Sequence, residues 1–150
     1  MVKKTDELSV IALDPGESIG YLWHGEGNAW GATFEGDSRL ADLWDELKLR
    51  SPDVVIYEEF ALRQSAAIKL VGSKFITCEV IGVIKLYAQL TGTKLIPLIP
   101  ANKEYCGFSS NPKDPKFKEI KMLYGQKITE HTRDAYRLYK FAELFKLGGN

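Results

Sequence analysis

Two short apolar runs in this chain end on carboxylates, and that placement constrains the fold more than any other feature. The first, Leu8-Ser-Val-Ile-Ala-Leu-Asp14, stops at Pro15-Gly16, and the second, Val54-Val-Ile-Tyr57, runs directly into Glu58-Glu59. Apolar runs of this length bounded by turn residues read as buried strands. In open α/β sheets, ligand sites form at strand ends, so Asp14 and Glu58 meet there if their strands are neighbours. Strand alternation sends Glu58 and Glu59 to opposite faces, and only one of them points at Asp14. Glu58 is favoured because it shares parity with the core-like Val54 and Ile56; Glu59 stays a competitor.

The elements between and after these runs suggest a mixed sheet. Ile19–His24 and Ala29–Phe34 are rich in aromatic and β-branched residues and are joined by Gly25-Glu-Gly-Asn28, which predicts a hairpin continuing antiparallel from the first strand. Asp37-Ser38 caps a helix to about Leu49, with Leu40, Leu43, Trp44 and Leu47 at helical spacing before Pro52. A proline-free stretch from Arg63 to Leu90 predicts a long helix, apolar on more than one side. Thr93–Leu98 reads as a fifth strand, Phe117–Tyr124 as a short helix, and Thr129 onwards as a last helix ending at Gly148-Gly149. A meander followed by βαβ crossovers predicts an α/β fold, a mixed five-stranded sheet with helices on both faces. At 150 residues the chain has room for one domain, 1–150, with one well-filled core.

The last helix adds to the acidic set. His131 and Asp134 lie three residues apart and share a helix face. His131 also heads the stripe Ala135, Leu138, Ala142 and Phe145, which is expected to face the sheet and bring the helix start to the carboxylates. Clustered carboxylates repel unless cations neutralise them, and hard oxygen ligands favour Mg²⁺ or Mn²⁺. Two such ions can activate water and stabilise the leaving oxygen in phosphodiester hydrolysis. Taken singly, an Asp-Pro-Gly is more often a turn, a Glu-Glu after a strand a solvated end, and a His-x-x-Asp a surface pair. In this order, on these elements, coincidence is much less common.

Charge and cysteine content narrow the partners. The formal net charge is zero, yet residues 1–60 hold 5 Lys/Arg and 13 Asp/Glu, while residues 101–150 hold 10 and 6. An acidic half beside a basic half fits a metal-binding surface next to a polyanion-binding one. Cys78 and Cys106 are isolated, which argues against a disulfide framework and a zinc site and fits a reducing cytoplasm. No apolar run reaches membrane-spanning length, and the polar N-terminus lacks a signal-peptide core.

Ile11-Ala-Leu-Asp-Pro-Gly-Glu-Ser-Ile-Gly-Tyr21, Val55-Ile-Tyr-Glu-Glu-Phe60 and His131-Thr-Arg-Asp-Ala135 together resemble the RuvC family of Holliday-junction resolvases, especially its compact phage-type members. The resemblance implies an RNase H-like fold, a homodimer and a two-metal site making paired symmetric nicks in four-way junctions. By position it implies that Asp14 bridges both metals, that Glu58 and Asp134 are ligands, and that His131 binds a metal or positions water. It implies dimerisation through the helix Arg63 to Leu90, and it places Phe60 near where some members wedge the junction open. The chain departs from many resolvases in being neutral overall. Two alternatives remain at this level: an RNase H-like nuclease acting on other branched DNA, RNA or RNA–DNA hybrids, and a non-catalytic junction-binding module.

Overall fold

The computed structural model describes residues 8–59 and 76–147. Three strands open the fold: β1 (Val10–Asp14), β2 (Ile19–Gly25) and β3 (Asn28–Phe34). They form an antiparallel meander in which Asp14 stands opposite Gly20 and Gly25 opposite Asn28. The β2–β3 turn is the two-residue Glu26-Gly27, with φ of 55° and 78°. Two successive left-handed residues make a tight turn whose twist matches the flanking strands, and glycine at the second is the favoured choice.

Helix α1 (Arg39–Arg50) leads to β4 (Val54–Glu58), which pairs parallel with β1 so that Leu13 stands opposite Tyr57. Helix α2 (Ile76–Thr91) leads to β5 (Lys94–Leu98), parallel to β4. Pro97 is tolerated in β5 because this strand forms one edge of the sheet. A 3-10 helix, Pro100–Tyr105, and a second one, Pro115–Glu119, precede the short strand β6 (Ile120–Met122). Helix α3 (Glu130–Phe145) completes the fold. The six strands lie in the order β5-β4-β1-β2-β3-β6.

The sheet is thus the expected mixed one, with a sixth strand where a short helix was expected. Pro115–Glu119 and Leu123–Gly125 form 3-10 turns there, and between them Ile120–Met122 pairs parallel with Ala29–Gly31 of β3. At Gly31 the neighbouring Thr132, Ile120 and Met122 side chains occupy the place of a Cβ, so this glycine lets both α3 and β6 close onto β3. The part of the expected long helix in residues 63–75, with Phe60 before it, lies outside the described residues.

Alternation sorts the core into two layers. Val10, Ala12, Leu22, Val54, Ile56, Ile96 and Leu98 pack under α3 with Ala135, Leu138 and Ala142. Ile11, Leu13, Ile19, Tyr21, Val55 and Tyr57 pack under α1 and α2 with Leu43, Leu47, Val80 and Ile84. Phe145, expected in the α3 stripe, is 61% exposed, and Phe141 is buried in its place. A buried polar lock ties α1 to β2. The Tyr21 hydroxyl donates to Glu46 Oε2 at 2.7 Å, and Arg50 Nε donates to the same oxygen at 3.1 Å.

Candidate active site

Asp14 and Glu58 occupy the C-terminal ends of adjacent parallel strands, one position beyond the Leu13–Tyr57 pair. Both share parity with Ala12 and Ile56, whose side chains pack under α3, so both carboxylates belong to that face. Glu59 has the opposite parity, is exposed, and acts electrostatically on Tyr57, which packs in the other layer. Of the two glutamates, Glu58 is the one that reaches Asp14.

Helix α3 is fixed with its first turn over this edge. Thr129 is its N-cap, accepting the Thr132 N–H, and the Thr132 hydroxyl donates to the Ala32 carbonyl at 3.0 Å. Thr33 Oγ1 lies 2.7 Å from Thr129 Oγ1 and 3.1 Å from Thr132 Oγ1, completing a three-hydroxyl clasp between β3 and the helix start. On β2, a Cβ at Gly20 would overlap the His131 carbonyl and also sit 3.2 Å from Asp14 Cβ. Only a residue without a side chain lets the helix backbone come this near the strand. The close approach carries Asp134 to Asp14 and Glu58, and His131 to the rim of the cleft that holds Asp14.

Lys103, in the 3-10 helix Pro100–Tyr105, stands among the three carboxylates. Its ammonium donates to Glu58 Oε2 at 2.9 Å and lies 3.6 Å from Asp134 Oδ2. Burial alone would lower the Lys103 pKa, but the Glu58 hydrogen bond and the charges of Asp134, Glu58 and Asp14 outweigh it and raise it. Asp14 is pushed up to about 7, first by burial and then by the charge of Glu58, with Asp134 and Glu130 adding and Lys103 opposing. A strand-end carboxyl held up by burial and by a neighbouring carboxylate marks a site that favours positive charge.

The donor set fits a hard divalent cation: carboxylate oxygens from two strand ends and a helix, with an imidazole at the side. Among the described residues no three acidic, imidazole or thiol groups are already gathered as a cage. Lys103 pairs with two of the carboxylates, Glu58 and Asp134. An open cleft of about 610 Å³ adjoins Asp14, lined also by Glu17, Ser18, Glu35 and His131. The His131 side chain is 35% exposed, and its Nε2 is 3.8 Å from Glu130 Oε1.

Sequence reasoning brought Asp14, Glu58, His131 and Asp134 together but missed Lys103 and Gly20. Gly20 carried a signal, a glycine inside a strand, which commonly marks close backbone approach. Lys103 carried none, because it is one lysine in an irregular lysine-bearing segment.

No protein-family model matches the chain, and no curated protein is significantly similar to it in sequence. Solved structures are similar in fold. Thermus thermophilus RuvC in complex with a Holliday junction substrate shares 16% identity, covering 95% of this chain and 96% of that one with a TM-score of 0.67. The yeast mitochondrial Holliday junction resolvase Ydc2 shares 14% identity over 94% of this chain and 79% of its own, with a TM-score of 0.56. The fowlpox virus resolvase, solved with Holliday junction DNA, shares 17% over 86% and 94%, with a TM-score of 0.53. The chain therefore has the RNase H-like fold that these resolvases share.

Proposed function

We propose that this chain is a metal-dependent endonuclease that resolves four-way DNA junctions by paired symmetric nicks. The observation that carries this reading is the convergence of Asp14, Glu58 and Asp134 around Lys103 at one edge of a resolvase-type sheet. In this reading Asp14, Glu58 and Asp134 hold the cations, and His131 binds one of them or orients water from the rim. Two Mg²⁺ ions, with Mn²⁺ as substitute, would supply water activation and leaving-oxygen stabilisation there. The chain's own residues present hard oxygens, keep the anionic cluster half-buried, and aim the cleft at solvent.

Paired nicks require two sites related by a two-fold axis, which an isologous homodimer supplies. Helix α2 supports such an interface. It buries Val80, Ile84 and Tyr87 against the sheet, yet leaves Leu86 50% and Leu90 68% exposed on its other side, with open space over Gly82. Light scattering at micromolar concentration tests this directly, with a mass twice that of the 16.9 kDa chain expected.

The catalytic reading is tested with a labelled four-way junction, with and without Mg²⁺, beside an RNA–DNA hybrid of equal length. Two symmetric nicks in the junction only, and only with metal, are expected. Cleavage of the hybrid in preference would transfer the function to another nuclease class, and junction binding without cleavage would leave a binding module. Among the described residues no helix is long and apolar enough to cross a membrane.

A further inference from the structure

A second cleft, of about 520 Å³, opens beside the carboxylate site and is built from different residues. Arg137, one helical turn beyond Asp134, forms its inner end, and Phe145 lies at its other end on the same helix. Eight residues separate them along α3, a length of about 12 Å. Tyr105 and Glu104 flank Arg137 from the 3-10 helix that carries Lys103, and Phe108 and Ser109 supply another wall. Tyr105 is 69% exposed and Phe145 61%, so two exposed aromatic residues line this cleft. Phe108 is held against Phe117 and Tyr136 at ring separations of 5.4 and 5.9 Å, which makes its wall fixed.

Arg137 is the unexplained group here. It is only 3% exposed, and its Nε is buried with no hydrogen-bond partner among the described residues. Among the described residues its terminal nitrogens make only long ion pairs, 3.5 Å to Glu104 and 3.8 Å to Asp134. A buried guanidinium with so few close acceptors is costly unless something else completes it. A phosphate would meet the Glu104 carboxylate at the cleft mouth and be repelled. A nucleobase would not: its edge carries both acceptors, for Arg137, and donors, for Glu104, while its faces suit the aromatic walls.

We propose that this cleft receives the base of an unpaired nucleotide lying next to the scissile phosphate. The inference rests on the junction-nuclease reading and adds to it a place where the enzyme touches a base. Arg137 and Asp134 are one turn apart, about 4.5 Å of helix rise, while a DNA strand advances about 3.4 Å per nucleotide in a duplex. A strand with its phosphate at Asp134 therefore brings the next one or two bases to the mouth of the cleft. Tyr105 and Phe145 stack on the base, and Arg137 and Ser109 meet its edge.

The test is an abasic scan. Four-way junctions carrying one abasic site, moved nucleotide by nucleotide past the cut, are bound to the full chain in Ca²⁺ and followed by anisotropy. For the wild type, one or two positions beside the cut are expected to weaken binding about tenfold, the scale of one base–aromatic stack. In Tyr105→Ala the intact junction should bind about tenfold more weakly, and the same abasic sites should then cost nothing further. Arg137→Met should behave alike, and because Tyr105 is exposed, its variant decides the matter if Arg137→Met does not fold. Identical abasic profiles for wild type and Tyr105→Ala would overturn the base cleft while leaving the nuclease reading intact. Failure of the wild type to bind any intact junction would overturn both.

Discussion

Lys103 Nζ donates to Glu58 Oε2 at 2.9 Å, so a lysine from the 3-10 helix Pro100–Tyr105 neutralises a carboxylate at the end of β4. The same ammonium lies 3.6 Å from Asp134 Oδ2. This ammonium lies at the electrostatic centre that the carboxylates create, on the same oxygens a divalent ion would use.

Removing that competitor has a definite consequence. Lys103→Gln is expected to bind Mn²⁺ several-fold more tightly than the wild type by calorimetry at pH 8, because Glu58 and Asp134 lose their internal counter-ion. The variant's Asp14 should also titrate higher still, since Lys103 is the group that lowers it. Unchanged or weaker Mn²⁺ affinity would show that Lys103 does not hold the ligands.

Asp14 predicts a pH-dependent stability. Its folded pKa, about 7, lies above the ordinary 3.8, so between these values the folded protein keeps a proton that the unfolded chain has released. Stability contributed by this group therefore falls as pH rises through that window and stays low above it. A divalent cation takes the place of the proton. Mg²⁺ should raise the Tm at pH 8 clearly more than at pH 5, and Asp14→Asn should lose this difference. An equal Mg²⁺ effect at both pH values would place the cation elsewhere.

The ligand assignment separates cleavage from binding. Asp14→Asn, Glu58→Gln and Asp134→Asn are each expected to reduce Mg²⁺-dependent junction cleavage to background while keeping junction affinity, which comes mainly from Lys and Arg contacts to phosphate. Glu59→Gln should cleave normally, as strand alternation gives it the opposite parity to Glu58. His131→Ala should slow cleavage substantially and His131→Asp retain much of it, because carboxylate and imidazole both serve at that rim. Full activity of Asp14→Asn would be decisive against the metal site.

Gly20 bears on the frame beneath the chemistry. A methyl group there would collide with the His131 backbone, which cannot move aside as a flexible side chain would. Gly20→Ala should destabilise the fold by about 1–3 kcal/mol in urea titrations, the range of overpacking in a closed core. Whatever folds should cleave poorly, since α3 and with it Asp134 must be pushed away from Asp14. A loss of only a few tenths of a kcal/mol would mean that the helix yields easily.

The sequence alone determined the meander, its turn and the common face of Asp14 and Glu58. These follow from local rules: a two-residue strand period, a turn needing positive φ at Glu26-Gly27, and apolar runs too short for helices. Parity also chose between Glu58 and Glu59, because alternation is a property of the strand itself. The helical spacing of His131 and Asp134 was legible for the same reason, a fixed period along one element. Tertiary structure decided everything that depends on how elements approach one another. Ile120–Met122 became a strand because β3 offered an open edge beside Gly31, a long-range opportunity that overrides a local helical pattern. The burial of Phe141 rather than Phe145 came from how α3 docks, since both lie near the same helix face. Lys103 and Arg137 took their places from the docking of the 3-10 helix Pro100–Tyr105 against α3. The pairing of Lys103 acts through space rather than along the chain, so no spacing of residues announced it.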